Sequence, residues 1–247
     1  MHDFARSSAT NAPLSKPILQ LNDVNAWYGE SHVLHGIDFD VMPGEVITLL
    51  GRNGAGKTTT LRSIMGMIGK RSGSIRFEET ETISLPPRAI ARLGVGYVPE
   101  ERGIFASLSV HENLMLPPAI KAGGMTIEQI YTTFPNLRER SQSGGTRLSG
   151  GEQQMLAMAR ILRTGSNFLL LDEPTEGLAP VIVQQIGSTI KALKKQGFTI
   201  VLVEQNFRFA QSVADRHLII EQGRIVDLIA SIDVDSQLEK IQSYLGV

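Results

Sequence analysis

The 247-residue chain has no cysteine, one tryptophan and no excess charge of either sign. Without cysteine it has no disulfides, thiolate metal sites or thiol nucleophiles, which fits a reducing compartment. Lys and Arg number 24 against 25 Asp and Glu, giving a net charge of -1. No global field draws in a polyanion, so a dedicated nucleic-acid binder is disfavoured. The longest apolar stretches, such as Phe168-Leu169-Leu170-Leu171, are of strand length, far short of the about 20 residues that span a bilayer. Met1 to Lys16 has no apolar block of signal-peptide size, and residues 1–17 are expected to be a disordered tail. Any membrane role must then come through a partner that supplies the spans. A hydrophobic share of 42% with 20% charged residues excludes wholesale disorder, and the length suits one α/β domain or two small ones.

From Ile18 the pattern runs in short β-rich segments: Ile18 to Tyr28, Val33 to Val41 and Val46 to Leu50, the first two reading as antiparallel strands. A glycine-rich turn follows. Thr58 to Ile68 then carries Leu61, Ile64, Met65 and Ile68 at helical spacing. Val95 to Val98, Phe168 to Leu171, Thr199 to Val203 and His217 to Ile220 are of buried-strand type, separated by lengths that allow helical crossovers. A parallel α/β sheet is the leading expectation. Between residues 103 and 165 strand signals vanish in favour of helical stretches around Val110 to Leu116, Thr126 to Phe134 and Gly150 to Leu162. Arg224 to Leu228 reads as a hairpin return and Asp233 to Leu245 as a terminal helix.

Gly51-Arg52-Asn53-Gly54-Ala55-Gly56-Lys57-Thr58 fits G-x-x-x-x-G-K-[ST] in full, directly after a strand and opening a helix. Glycines let the backbone wrap around a phosphate, so that successive N–H groups and the helix end point at the anion. Lys57, expected to stand exposed on the loop, then reaches the β- and γ-phosphates, and the Thr58 hydroxyl is placed to bind Mg²⁺. The plain alternative is a glycine-rich turn with a surface lysine. Four apolar residues run into Asp172-Glu173-Pro174, two adjacent carboxylates where the chain leaves a buried strand. Side chains alternate there, so the two acids can take different roles. Asp172 is expected to hold Mg²⁺ through water, and Glu173 to orient or deprotonate an attacking water.

Leu148-Ser149-Gly150-Gly151-Glu152 contains a capping box, Ser149-x-x-Glu152, which can start any helix. Its double glycine also leaves bare N–H groups at a positive helix end, a second phosphate-binding surface. With these three motifs in this order, residues 18–245 resemble the ATP-binding subunits of ABC transporters. The resemblance implies a phosphate-loop, RecA-like α/β fold: a mostly parallel sheet core with an antiparallel β subdomain and a helical subdomain over about 103–165. Residues 18–247 are then expected to form one ATPase domain. ATP is bound by Gly51 to Thr58 together with Thr59, and Tyr28 matches the aromatic that stacks on adenine. The signature Leu148 to Glu152 serves the ATP of a second subunit. Where the family usually has a magnesium-sensing glutamine this chain has Glu100, and the switch histidine is Gln205. Glu100 keeps an oxygen ligand, and Gln205 can hydrogen-bond phosphate or water but carries no proton near neutral pH.

Thr175-Glu176-Gly177-Leu178-Ala179-Pro180 and Val203-Glu204-Gln205-Asn206 resemble the branched-chain amino-acid importer branch, in particular the shorter of its two ATPase subunits. Importers of urea and short-chain amides share these motifs and are the alternative, with a non-transport relative behind them. The resemblance implies a second, different ATPase chain, two membrane-spanning permease subunits and, indirectly, an extracytoplasmic substrate-binding protein, at the cytoplasmic face of the inner membrane. Phe105, Leu108 and Val110 are candidate contacts to the spanning subunits, or core residues. The transported molecule is then selected by proteins outside this chain.

Overall fold

Leu19, Leu21, Val24 and Ala26 are buried while Asn22 and Asp23 face solvent, a half-buried alternation that makes Leu19–Tyr28 a strand, β1. The computed structural model describes residues 16–246; the tail expectation for residues 1–15 lies outside them. β1 lies between β2 (Ser31–Val41) and β4 (Lys70–Phe77), antiparallel to both, and a two-residue strand, β5 (Thr80–Glu81), completes a four-stranded sheet in the order β2-β1-β4-β5.

The second sheet has six strands in the order β10-β9-β3-β8-β7-β6. They are β3 (Val46–Leu50), β6 (Val95–Val98), β7 (Phe168–Asp172), β8 (Thr199–Glu204), β9 (Arg216–Glu221) and β10 (Arg224–Ala230). Only β10 is antiparallel to its neighbour. Both faces are covered, which is why β3, β7 and β8 are buried along their whole length. Ile47, Leu49, Val201 and Val203 join a core with the antiparallel sheet. Beneath them lies the helix α1 (Lys57–Ile64), and α2 (Pro87–Arg92) flanks the same layer. Val46, Leu171, Ile200 and Leu202 face a second core built by α6 (Gly150–Leu162), α7 (Pro180–Lys195) and α8 (Phe207–Val213). The short helices α3 (Val110–Met115), α4 (Ile127–Thr133) and α5 (Pro135–Glu139) extend that second layer.

Three local expectations change. The helix after the glycine-rich turn is shorter than Thr58 to Ile68, because the chain turns at Gly66. The hairpin β4-β5 and helix α2 were not expected from the sequence. The terminal helix is confined to α9 (Leu238–Leu245), and two short 3₁₀ turns occupy Ser231–Asp233 and Asp235–Gln237. There the Ser236 hydroxyl donates to the Asp233 carbonyl three residues back, a local bond that competes with regular helix, and the Ser231 hydroxyl ties the first turn to the Ala214 carbonyl. No helix among the described residues is long and apolar enough to cross a membrane.

Candidate active site

β3 delivers the chain into the glycine-rich loop against β9. A Cβ on Gly51 would sit 2.3 Å from the Ile220 carbonyl oxygen, and Gly56 has φ +112°, so neither position admits a side chain without strain. The Ala55 N–H bonds the Arg52 carbonyl at 3.1 Å, and α1 begins one residue after Gly56. Lys57 is not the exposed loop lysine expected from the sequence: it is 4% exposed. As the first residue of α1 it folds back over the loop, where its ammonium donates to the carbonyls of Gly51 at 2.9 Å and Arg52 at 3.3 Å. Its Nζ also lies 3.4 Å from Glu173 Oε1.

At the end of β7 the two adjacent acids part company. Asp172 is buried, accepting the Thr58 hydroxyl on Oδ1 at 2.9 Å and the Tyr97 hydroxyl on Oδ2 at 3.0 Å. Burial pushes its carboxyl above the usual range, against the pull of those two bonds. Burial, with the Asp172 charge beside it, also pushes the Tyr97 phenol up, so Tyr97 stays a donor. Glu173 takes a φ of +45°, a left-handed geometry uncommon for a side-chain-bearing residue. Its N–H bonds the Val203 carbonyl at 3.0 Å. The turn swings its carboxylate into a cleft, where Gln205 Nε2 donates to Oε2 at 2.6 Å.

This cleft, about 350 Å³, is lined by Val33, Asn53, Gly54, Gly56, Lys57, Thr58, Thr59, Glu100, Glu173, Glu176 and Gln205. Gly51, Arg52 and Ala55 shape the loop without lining it. Burial, followed by repulsion from Glu173 and Glu100, pushes Glu176 above the ordinary carboxylate range. Loop N–H groups, one lysine and space above Gly54, where a Cβ would meet nothing within 4 Å, make a cradle suited to a triphosphate. The hydroxyl and carboxylate oxygens of Thr58 and Asp172, already in contact, match the hard oxygen donors that a magnesium ion takes. Tyr28 does not line the cleft. It stands at the end of β1, 46% exposed.

The Leu148 to Glu152 segment lies elsewhere and contributes nothing to the cleft lining. Ser149 caps α6: its Oγ accepts the Glu152 N–H, and Glu152 Oε2 accepts the Ser149 N–H at 2.7 Å. Burial opposes the Glu152 charge, but these bonds and Arg140 at 3.4 Å outweigh it and hold the carboxyl below its ordinary range. The two glycines differ. A Cβ on Gly151 would meet Ile182 of α7 at 2.7 Å, whereas one on Gly150 would meet the end of the Arg102 side chain at 3.2 Å. Gly151 is therefore fixed by helix packing.

A second groove, about 470 Å³, runs beside β6 and is lined in part by Phe105, Leu116, Pro117, Pro118, Ala157 and Ile161. Phe105 and Leu116 are half exposed, and Arg160 stacks over the Phe105 ring at 4.8 Å. Leu108 is half-buried, while Val110 is fully buried as the first residue of α3, in the core. Sequence reasoning also left Tyr97, Glu176 and Glu204 without roles. A carboxylate closing the apolar run Thr199 to Val203 was the available signal for Glu204.

The ABC transporter family model matches residues 34–176. The branched-chain amino acid transport ATP-binding protein BraG of Pseudomonas aeruginosa is 42% identical over 85% of this chain and 91% of its own length. The probable branched-chain amino acid transport ATP-binding protein LivF of Archaeoglobus fulgidus is 36% identical, over 84% and 90%. The lipopolysaccharide export ATP-binding protein LptB of Escherichia coli K12 is 35% identical, over 81% and 85%. A nucleotide-free ATP-binding cassette from an ABC transporter superposes with a TM-score of 0.81 at 21% identity, covering 94% of this chain and 99% of that one.

Proposed function

Since this chain belongs to the ABC transporter family and is one of its ATPases, we propose that it drives an importer of branched-chain amino acids from the cytoplasmic face of the inner membrane. The observation that carries the substrate class is the 42% identity to BraG across nearly the whole of both chains. LptB, at 35%, supports an exporter less well, and importers of urea or short-chain amides remain the alternative that the shared motifs allow.

ATP enters the cleft as substrate with its phosphates on the loop N–H groups and on Lys57, and its base against the exposed Tyr28 ring. Thr58 and Asp172, with Glu100 facing the same space, would hold Mg²⁺, which when bound offsets negative charge on the phosphate oxygens. Glu173 takes the proton of the attacking water as its oxygen bonds the terminal phosphorus and ADP leaves. Gln205 holds the second Glu173 oxygen, leaving the first for Lys57 and water. Because the Ser149 to Glu152 end of α6 lies apart from the cleft, it serves the ATP of a second, different ATPase chain. The groove at Phe105 and Leu116 receives the cytoplasmic part of one of two permease subunits, and an extracytoplasmic binding protein supplies the amino acid.

The test is the assembled complex in vesicles with its binding protein. ATP turnover is expected to rise with leucine, isoleucine or valine, and Glu173→Gln to slow it ~10²–10⁴-fold while ATP still binds. Ser149→Arg in this chain is expected to disable the ATP site on the partner's loop and spare nucleotide binding to its own. Stimulation by urea or an amide alone would move the substrate class to the alternative, and stimulation by none of these would overturn import of small amino-group solutes.

A further inference from the structure

Glu204 closes β8 and is 2% exposed, yet among the described residues no cation pairs with it. Its carboxylate is held by hydrogen bonds alone. Oε1 accepts the Thr175 hydroxyl at 2.7 Å and the Thr175 N–H at 3.3 Å, and Oε2 accepts the Asn206 N–H at 3.3 Å. Thr175 lies two residues after Glu173, and Asn206 follows Gln205. One buried carboxylate thus ties together the two loops whose side chains meet in the cleft, where Gln205 Nε2 donates to Glu173 at 2.6 Å.

We propose that Glu204 is a positioning residue for hydrolysis: by clamping Thr175 to Asn206 it fixes the Glu173–Gln205 pair toward the reacting phosphate. The clamp needs the anion, because a carboxylate accepts at both oxygens while its protonated form must donate from one of them. Burial pushes Glu204 up to about 7, with the Thr175 and Asn206 bonds pulling it down and the Glu173 charge adding to the rise. The neighbouring elements carry Glu173 and Asp172 at the end of β7, Lys57 of α1, 3.4 Å from Glu173, and the exposed Arg208 of α8. β3 places apolar Leu50 opposite it. Glu173 is the charge in this set that acts on Glu204. Protonation of Glu204 near neutrality therefore loosens the pair, and turnover should rise with pH across that range. Gln205, whose amide does not titrate, does not produce this dependence.

The inference rests on Glu173 being the base, so both are tested together in the assembled transporter complex with ATP and magnesium, following kcat, KM and the pH profile. Glu204→Gln is expected to lower kcat by about tenfold or more with KM nearly unchanged, and to flatten the acid limb near pH 7. Thr175→Val removes a bond that favours the anion, so it is expected to move the limb to higher pH, and Thr175→Ser to restore it. If Glu204→Gln does not fold, the Thr175 pair carries the test. A limb that Thr175→Val leaves in place, or a Glu204→Gln protein with wild-type kcat and profile, would overturn the proposal. Turnover persisting in Glu173→Gln would instead overturn the base assignment, whatever the Glu204 limb does.

Discussion

Lys57 fills a buried space beside two loop carbonyls and the Glu173 carboxylate, so its removal acts on the fold as well as on the phosphate. Lys57→Ala is expected to abolish turnover, to weaken ATP binding and to destabilise the chain by about 1–3 kcal/mol, the cost of leaving buried polar groups unsatisfied. A denaturant titration without nucleotide reads the last term. Wild-type stability there would mean that water satisfies these groups as well as the lysine does. At this scale the loop itself was legible in the sequence, because glycine, lysine and threonine at fixed offsets state their own geometry. The lysine's burial was not, because besides the nearby carbonyls of Gly51 and Arg52 it takes Glu173, which lies far along the chain, to close over the ammonium. The same holds for Tyr97, whose hydroxyl meets Asp172 across 75 positions, and for Glu204, which meets Thr175 across 29.

Among the elements, α6 and α7 are joined at a point that only glycine allows. Gly151→Ala would drive a methyl group into Ile182, whose nearest atoms lie at 2.7 and 2.9 Å, and overpacking of this kind costs about 1–3 kcal/mol. Gly151→Ala should therefore lower stability, and adding Ile182→Ala should recover part of it by opening the space. Gly150→Ala, which meets the flexible end of Arg102 at 3.2 Å and Leu178 at an ordinary contact distance of 3.4 Å, should melt like the wild type. If Gly151→Ala and Gly150→Ala behave alike, the close approach of the two helices is not what holds Gly151. The boundaries of α6 and of the central strands follow the sequence closely, since their apolar runs and the Ser149–Glu152 box are local signals. β4 escaped notice because Lys70, Arg71, Ser72, Gly73 and Ser74 read as a polar loop: its strand character comes from pairing with β1, and Ile75 and Phe77 alone bury fully.

Over the whole molecule, two buried titratable groups act on stability in opposite senses. His217 on β9 shares a hydrogen bond with the Thr48 hydroxyl at 2.7 Å and lies under the edge of the Phe207 ring. Burial pushes it down to about 4 from 6.5. Between those values the unfolded chain binds a proton there that the folded chain does not, so stability falls as pH falls from about 6.5 to about 4. Glu204 is raised from 4.5 to about 7, so there the folded chain binds the extra proton, and stability falls as pH rises through that window. The windows overlap from about 4.5 to 6.5, and each arm is worth up to about 3 kcal/mol. The wild-type contribution of the pair should be nearly flat across the overlap. Removing one partner should uncover the other: His217→Gln is expected to gain stability relative to wild type on acidification from pH 7 to 5, and Glu204→Gln to lose it. Equilibrium unfolding of the three proteins at several pH values without nucleotide measures both slopes. The sheet order that brings Thr48 of β3 beside His217 of β9 was not legible in the sequence, where the two residues stand 169 positions apart. If the two variants show the same pH slope as the wild type, neither group is shifted by its burial, and the pH limb assigned to Glu204 in catalysis loses its physical basis as well.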